Sequence, residues 1–331
     1  MRTIRLGKTE LQVSALSLGT WSHGGPNQVG PRAVGWSGFH EETALESLRA
    51  AHRVGIRHWD TADVYGSGKS ETLIGKVLKE LPREDITLAS KVGWDPGPHD
   101  HFYEGKWVRN QVESSLKRLG IDCMDLYYMH HCHFGPGDER LDEVMELMHR
   151  FREEGKIRFI GLSDWDATAI SRVIHRVEPH VVQPFRCMLY DSLSHAPLRE
   201  AVDALDAGLA FFSPLRHGLL LGKYEEPATF GDGDFRTSIE GFTDPDVLEG
   251  VRQRAEKLRD RFGPSTSAVI RGLTGTLLED APTACALVGL RNVQQVEMAL
   301  EAASALSQEE AEWVRGLYED CPGKVNPEDQ P

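Results

Sequence analysis

The chain has 331 residues, 40% of them hydrophobic, which is enough apolar material for one large domain or two average ones and argues against a disordered chain. No apolar run approaches the roughly 20 residues of a membrane span, and the net charge of −14 argues against nucleic acid, because a polyanion is bound by a basic surface. Residues 1–9 lack the apolar segment of a secretion signal, and the five cysteines are too scattered for a disulfide framework, so we expect a cytoplasmic protein.

Short apolar runs alternate with segments of helical periodicity along most of the sequence. Residues 1–13 come first and contain two alternating pieces that predict a β-hairpin. Apolar spacing between the later runs, as in 141–151, predicts outer helices with one buried stripe. The eight runs that we predict as strands are 15–19, 56–60, 86–91, 124–130, 157–163, 181–185, 210–213 and 284–289.

Eight strand–helix units predict parallel strands with right-handed crossovers, and the number eight favours a closed barrel. An open doubly wound sheet is the alternative, but residues 20–25 lack the glycine-rich phosphate turn that follows its first strand. We therefore predict an α/β fold, a single (β/α)8 TIM barrel domain over 1–331. Two additions extend it: a long loop after strand seven, 216–245, and an extra helix over 307–320.

Polar residues stand at the ends of three consecutive runs, where a parallel barrel keeps its site. These are Asp60, Lys91 and His130, and Tyr65 follows Asp60 by five residues. We expect the Lys91 ammonium to lower the pKa of Tyr65 from its ordinary value of about 10, with Asp60 keeping the lysine charged. His130 would orient a substrate oxygen by a hydrogen bond. Together the four residues are expected to act as a general acid that protonates a substrate oxygen while negative charge develops on it.

The segment His58–Gly66, HWDTADVYG, resembles the first signature of the aldo-keto reductases, and further segments match that family over nearly the whole chain. They are 70–75, 90–92, 115–127, 155–163 and 213–224. The resemblance implies a barrel that binds a nicotinamide dinucleotide, usually NADP(H), and passes hydride to an aldehyde or ketone. It implies that Tyr65 is the general acid, that Lys91 and Asp60 tune it, and that His130 orients the carbonyl.

The resemblance also implies which residues hold the nicotinamide. Ser163 and Gln183 match positions that hold its carboxamide, and Asp164 stands where the family has an asparagine. Phe212 stands where an aromatic ring stacks on the nicotinamide. Ser213 and Leu215, directly after it, belong to the same predicted cofactor-binding set.

The resemblance implies a second cofactor-binding set at the end of strand eight and directly after it: Gly289, Arg291, Asn292 and Gln295. Arg291 suits a 2′-phosphate because its guanidinium is a fork-shaped donor, and the next helix adds backbone N–H groups. Met298 and Ala299 replace the glutamate–asparagine pair that the resemblance implies for adenine.

Aromatic residues of the loops predict the substrate pocket, for which we name Trp21, Trp94, His131 and Trp165. Packing of these loops on the barrel rim is the alternative. The run 130–133 contains three histidines, but adjacent strand residues face opposite ways, so we predict no metal site.

Together these features predict an NADP-dependent reductase that converts an aldehyde or ketone reversibly to an alcohol. The expected partners are small-molecule carbonyl or alcohol substrates, without nucleic acid or membrane; the oligomeric state is left open. One alternative is a nicotinamide-binding regulatory or sensor subunit with little turnover. Another is a metal-dependent barrel hydrolase.

Overall fold

Eight parallel strands form a closed barrel in the computed structural model of this protein, which describes residues 1–325. Each strand pairs with the next along the sequence, and the last pairs with the first, which confirms the predicted (β/α)8 barrel. The strands are β1 (Leu16–Gly19), β2 (His58–Asp60), β3 (Thr87–Val92), β4 (Met124–Met129), β5 (Ile157–Asp164), β6 (Val181–Pro184), β7 (Gly208–Phe212) and β8 (Ala284–Gly289).

Helices surround the barrel; most of them bury one apolar stripe, and the helix Thr266–Glu279 is buried on nearly every side. The stripe of the helix Leu141–Glu153, for example, includes Leu141, Val144 and Met148, whose spacing follows the helical period. The helices are α1 (Glu41–Arg53), α2 (Lys69–Leu78), α3 (Gly105–Leu119), α4 (Leu141–Glu153), α5 (Ala167–Val177), α6 (Leu198–Ala204), α7 (Pro245–Phe262), α8 (Thr266–Glu279), α9 (Val293–Glu301) and α10 (Gln308–Tyr318). No helix within residues 1–325 is long and apolar enough to cross a membrane.

The connection between β7 and β8 holds more structure than the sequence analysis predicted. Two helices, α7 and α8, lie between these strands instead of one. Helix α7 begins where the Asp244 side chain accepts hydrogen bonds from the N–H groups of Asp246 and Val247, with proline at its first position. The predicted loop 216–245 is ordered by three 3-10 turns, Arg216–Leu221, Phe235–Ser238 and Glu240–Phe242.

The additions at the two ends of the chain agree with the expectation. Thr3–Arg5 pairs with Gln12–Ser14 as an antiparallel hairpin, one residue longer than predicted. Gly7 of this hairpin bridges Ala207, just before β7, and a Cβ at Gly7 would lie 2.1 Å from the nitrogen of Gly208. Glycine therefore lets the hairpin lie close against the amino end of the barrel. At the other terminus, Ser307 caps α10 in a capping box.

Candidate active site

The structure brings the four predicted catalytic residues together at the carboxyl end of the barrel. Lys91 Nζ donates to Asp60 Oδ1 over 2.5 Å, to the carbonyl oxygen of Thr61 over 2.7 Å and to the Tyr65 hydroxyl over 3.3 Å. The edge of the Tyr65 ring meets the His130 ring with 5.9 Å between centroids. An acid, an ammonium, a phenol and an imidazole thus share one small volume.

Close backbone packing fixes the turn that carries Tyr65. Thr20 donates to the Asp60 carbonyl oxygen through both its backbone N–H and its hydroxyl. Gly66 has a φ of +62°, and a Cβ there would lie 2.2 Å from the carbonyl oxygen of Gly24. A glycine after Tyr65 therefore allows this turn to approach the turn after β1.

Burial raises the pKa of Tyr65 well above its ordinary range, and the charges of Asp60 and Asp63 act in the same direction. The net shift is therefore upward, whereas the sequence analysis expected a pKa below the ordinary value. Burial also lowers the pKa of Lys91, against the effect of Asp60. The cost of placing a charge away from water exceeds the attraction between phenolate and ammonium. Tyr65 consequently keeps its proton at neutral pH, as a general acid must.

His130 lies directly after β4, and its backbone N–H donates to the carbonyl oxygen of Val92. Burial lowers the pKa of its imidazole well below the ordinary value, and the Lys91 ammonium adds to that effect. Its Nδ1 atom has no hydrogen-bond partner among the described residues. A neutral imidazole here has one N–H to offer to a ligand oxygen.

A pocket with aromatic walls opens onto these groups. Trp21 stacks on Tyr65 with 5.7 Å between ring centroids, and Val34 and Val64 are lining residues that the sequence analysis missed, because an isolated valine carries no chemical signal. The lining residues are Trp21, Val34, Val64, Tyr65, Trp94, His130, Ser163, Asp164, Trp165, Gln183 and Phe212.

His131 does not line this pocket, contrary to the prediction. Its ring packs against Trp94 with 4.4 Å between centroids, and its Nδ1 atom lies 3.8 Å from Asp164 Oδ2. The His131 ring also stacks on the His130 ring with 5.3 Å between centroids, so it supports His130 from beside the pocket without belonging to the lining. Among residues 1–325, no group of three or more His, Cys, Asp or Glu side chains could hold a metal ion.

The residues predicted for the carboxamide lie together on one wall of the pocket. Ser163 and Gln183 are each 2% exposed, and their side-chain oxygens are 3.5 Å apart. Gln183 Nε2 donates to Asp60 Oδ2 over 2.8 Å. The half-buried ring of Phe212 belongs to the same lining. Hydrogen-bonding groups next to an aromatic face fit a flat ring that carries an amide.

The predicted phosphate-binding set surrounds the start of α9. Asn292 caps this helix by accepting from the N–H of Gln295 over 2.9 Å, and the Gln295 side chain accepts from the N–H of Arg291 over 2.7 Å. Gly289, the last residue of β8, is exposed. None of these residues lines the aromatic pocket, so they form a separate part of the candidate site.

A second arginine that sequence analysis missed lies near Arg291. Arg236, from the loop after β7, pairs with Asp234, which also accepts hydrogen bonds from Ser37. Burial lowers the pKa of Arg291, and the charge of Arg236 lowers it further. Ser37 connects the two side chains, because its carbonyl oxygen accepts from Arg291 Nη1 over 3.3 Å while its N–H and hydroxyl donate to Asp234.

Ser213 and Leu215 lie in the first turn of the loop after β7, directly after Phe212. Ser213 has a φ of +53° and lies outside β7, not at its end as predicted. The carbonyl oxygens of Ser213 and Leu215 accept from the N–H groups of Arg216 and Gly218.

Residues 15–319 match the aldo/keto reductase family. The aldo-keto reductase YhdN of Bacillus subtilis is 31% identical over 97% of this chain and 94% of its own length. The NADH-specific methylglyoxal reductase of Escherichia coli is 33% identical over 67% of this chain and 70% of its own length. The structure of the glycerol dehydrogenase AKR11B4 from Gluconobacter oxydans is similar, with a TM-score of 0.77 and 25% identity over 98% of this chain and 97% of that one.

Proposed function

The chain belongs to the aldo/keto reductase family, and we propose that it reduces an aldehyde or ketone reversibly to the alcohol, with NADPH as the hydride donor and Tyr65 as the general acid. Family membership supports an oxidoreductase that acts on small-molecule carbonyl compounds. The observation that carries the finer proposal is the position of Lys91 Nζ. It donates both to Asp60 and to the Tyr65 hydroxyl beneath an aromatic pocket.

The donors and acceptors of the pocket fit a nicotinamide dinucleotide. Ser163 and Gln183 would hold the carboxamide, and the face of Phe212 would lie against the ring. When bound, the reduced dinucleotide supplies the hydride. Arg291 favours the 2′-phosphorylated form, because its guanidinium can donate charge-assisted hydrogen bonds to a doubly charged phosphate, whereas Arg236 is already paired with Asp234. A family member from Escherichia coli is named as NADH-specific, so family membership does not determine which dinucleotide is used. The proposed preference for NADPH therefore depends on Arg291.

Side chains of the protein supply the proton that the carbonyl oxygen receives. His130 donates a hydrogen bond to the carbonyl oxygen and thereby orients and polarises it. Tyr65 transfers its hydroxyl proton to that oxygen. The Lys91 ammonium then stabilises the phenolate that forms, and Asp60 holds the ammonium in place. The aromatic rings around these groups exclude water, which strengthens each of these electrostatic contacts.

The pocket favours an uncharged apolar or aryl carbonyl compound as substrate. Trp21, Trp94, Trp165 and Phe212 present flat apolar surfaces, and Asp164 is the one ionised acid among the lining residues. A phosphorylated or carboxylate substrate would be repelled by Asp164. Sugars form a second class, because their rings also stack on tryptophan.

Cofactor oxidation across a carbonyl library tests the proposal. The purified protein would be assayed with aryl aldehydes, aliphatic aldehydes, ketones and open-chain sugars, each with NADPH and with NADH. We expect turnover of uncharged aryl aldehydes, with NADPH preferred. Binding of a dinucleotide without turnover of any carbonyl would contradict it and favour a regulatory subunit. Loss of activity on chelation would favour a metal-dependent hydrolase.

Two further expectations accompany this proposal. All five cysteines are unpaired, in agreement with a reducing compartment, and a cytoplasmic location stays a prediction. The oligomeric state stays open, and light scattering of the purified protein would determine it.

A further inference from the structure

Asp164 places a carboxylate in the wall of the pocket, directly after Ser163. Its side chain is almost fully buried, yet each oxygen accepts a backbone hydrogen bond. Oδ2 accepts from the N–H of Cys132 over 2.6 Å, and Oδ1 accepts from the N–H of Asp166 over 3.0 Å. His131 Nδ1 lies 3.8 Å from Oδ2. The carboxylate is thereby fixed between the end of β5 and the loop after β4.

These contacts favour the ionised form of Asp164. Each oxygen accepts one backbone N–H, and hydrogen bonds to the charged form of a carboxyl group stabilise that form. Burial by itself raises the pKa of Asp164, but attraction to His131 and hydrogen bonds from the backbone N–H groups of Asp166 and Cys132 bring it below the ordinary value. The wall of the pocket therefore carries a fixed negative charge at neutral pH.

The two redox forms of nicotinamide differ in charge. The oxidised ring is a cation and the reduced ring is neutral, so a nearby carboxylate attracts the first and has little effect on the second. Ser163 and Gln183, the groups proposed to hold the carboxamide, line the same pocket as Asp164. A neutral asparagine, which the family resemblance implies at this position, exerts no such discrimination.

We propose that Asp164 selects the oxidised form of the bound nicotinamide over the reduced form and thereby makes the bound reduced dinucleotide a stronger hydride donor. This inference rests on the proposed function. In the reaction, the hydride moves with its electron pair from the reduced ring to the carbonyl carbon, and the carbonyl oxygen takes the proton of Tyr65. The products are the alcohol, the oxidised dinucleotide and the Tyr65 phenolate, which regains a proton from water. Because the ring becomes a cation in this step, the Asp164 carboxylate stabilises the product side.

Equilibrium binding separates this role from a structural one. The dissociation constants of NADP⁺ and NADPH, and of NAD⁺ and NADH, would be measured by fluorescence titration for the wild-type protein and for Asp164→Asn. We expect the ratio of the NADPH to the NADP⁺ dissociation constant to fall about tenfold in the variant, as the loss of one partly screened charge contact implies. An equal change for both redox forms would show that Asp164 only positions the loop after β4, and would overturn the proposal.

A protonated His131 would cancel the charge of the Asp164 carboxylate. The dissociation constants of the four dinucleotides would therefore also be compared between His131→Gln and the double variant His131→Gln, Asp164→Asn, in which no imidazole is present. The shift of the ratio should be at least as large there, and its absence would overturn the proposal. Asp142→Asn, the same charge change on the exposed surface of α4, should leave the ratio unchanged. If the wild-type protein binds none of the four dinucleotides, the proposed function itself is wrong.

Discussion

Gln183 Nε2 donates to Asp60 Oδ2 over 2.8 Å, while Asp60 Oδ1 accepts from Lys91. One carboxylate thus connects the residue predicted to hold the nicotinamide amide to the pair that supports Tyr65. Gln183 and Asp60 are buried, so this contact is not weakened by solvent. A ligand that takes over the Gln183 amide would change the hydrogen bonding of Asp60 at the same time.

Replacement of Gln183 by methionine should destabilise the fold. Gln183→Met keeps the length of the side chain but removes the donor to a buried carboxylate, which is expected to lower the free energy of unfolding by about 2 kcal/mol. Urea denaturation at neutral pH measures this value. Ser163→Ala is the matched control, since the Ser163 hydroxyl contacts Gln183 Oε1 and is not the donor to Asp60. An unfolding free energy for Gln183→Met equal to that of the wild type would contradict this view of Asp60.

Removal of the Tyr65 hydroxyl should abolish carbonyl reduction. We expect Tyr65→Phe to lower kcat by roughly 10²- to 10⁴-fold, because it removes the proton donor. Dinucleotide affinity should change by less than about threefold, because the ring that packs on Trp21 stays in place. Steady-state assays and dinucleotide titration give the two values. Tyr127→Phe removes a buried hydroxyl that has no hydrogen-bond partner among the described residues, and should retain activity. Turnover by Tyr65→Phe close to the wild-type rate would disprove its role.

Arg291 should determine the preference for the phosphorylated dinucleotide. In Arg291→Leu, the dissociation constant of NADPH is expected to rise about 10- to 100-fold, as for the loss of a charge-assisted hydrogen bond, with that of NADH nearly unchanged. Parallel titrations with the two dinucleotides measure the difference. Arg252→Leu, on the exposed face of α7, is the control for a general loss of positive charge. Equal weakening of NADH binding would assign Arg291 to the fold instead of to phosphate.

Two buried histidines should make the protein sensitive to acid. Burial lowers the pKa of His23 and of His58 to about 4. Because both pKa values are depressed in the folded state, the unfolded chain binds the extra protons as the pH falls from about 6.5, the unfolded value, to about 4. The contribution of each histidine to the free energy of unfolding is complete above pH 6.5. It is lost as the pH falls toward 4, and the loss amounts to about 3 kcal/mol per histidine.

Urea unfolding at a series of pH values between these limits tests that expectation. His23 and His58 together should contribute about two protons to the slope of unfolding free energy against pH, in addition to His130 and His217, whose pKa values burial also lowers. His58→Asn should reduce the slope by about one proton, whereas replacing the exposed His195 should not change it. A slope that is the same in wild type and His58→Asn would mean that His58 is not buried in its neutral form.

Local sequence pattern was sufficient to predict the fold of this protein and its family. The alternation of apolar runs and helical segments predicted the barrel, and the motif from His58 to Gly66 predicted the family; both predictions are confirmed. Asp60, Lys91 and His130 could be placed on one rim because parallel strands bring their carboxyl ends to the same edge, so a residue's place in its own strand is sufficient. The roles of these residues stay predictions.

Other properties depend on groups that are distant along the chain and close in space. The pKa of Tyr65 is raised because neighbouring elements remove it from water, which no local pattern records. Arg236 approaches Arg291 only because the loop after β7 lies against the loop after β1. Asp164 is held as a carboxylate by the backbone of Cys132, 32 positions earlier. Burial and electrostatic coupling arise only when the chain packs. The protonation states of groups such as Tyr65 and Asp164 are therefore decided by the tertiary structure.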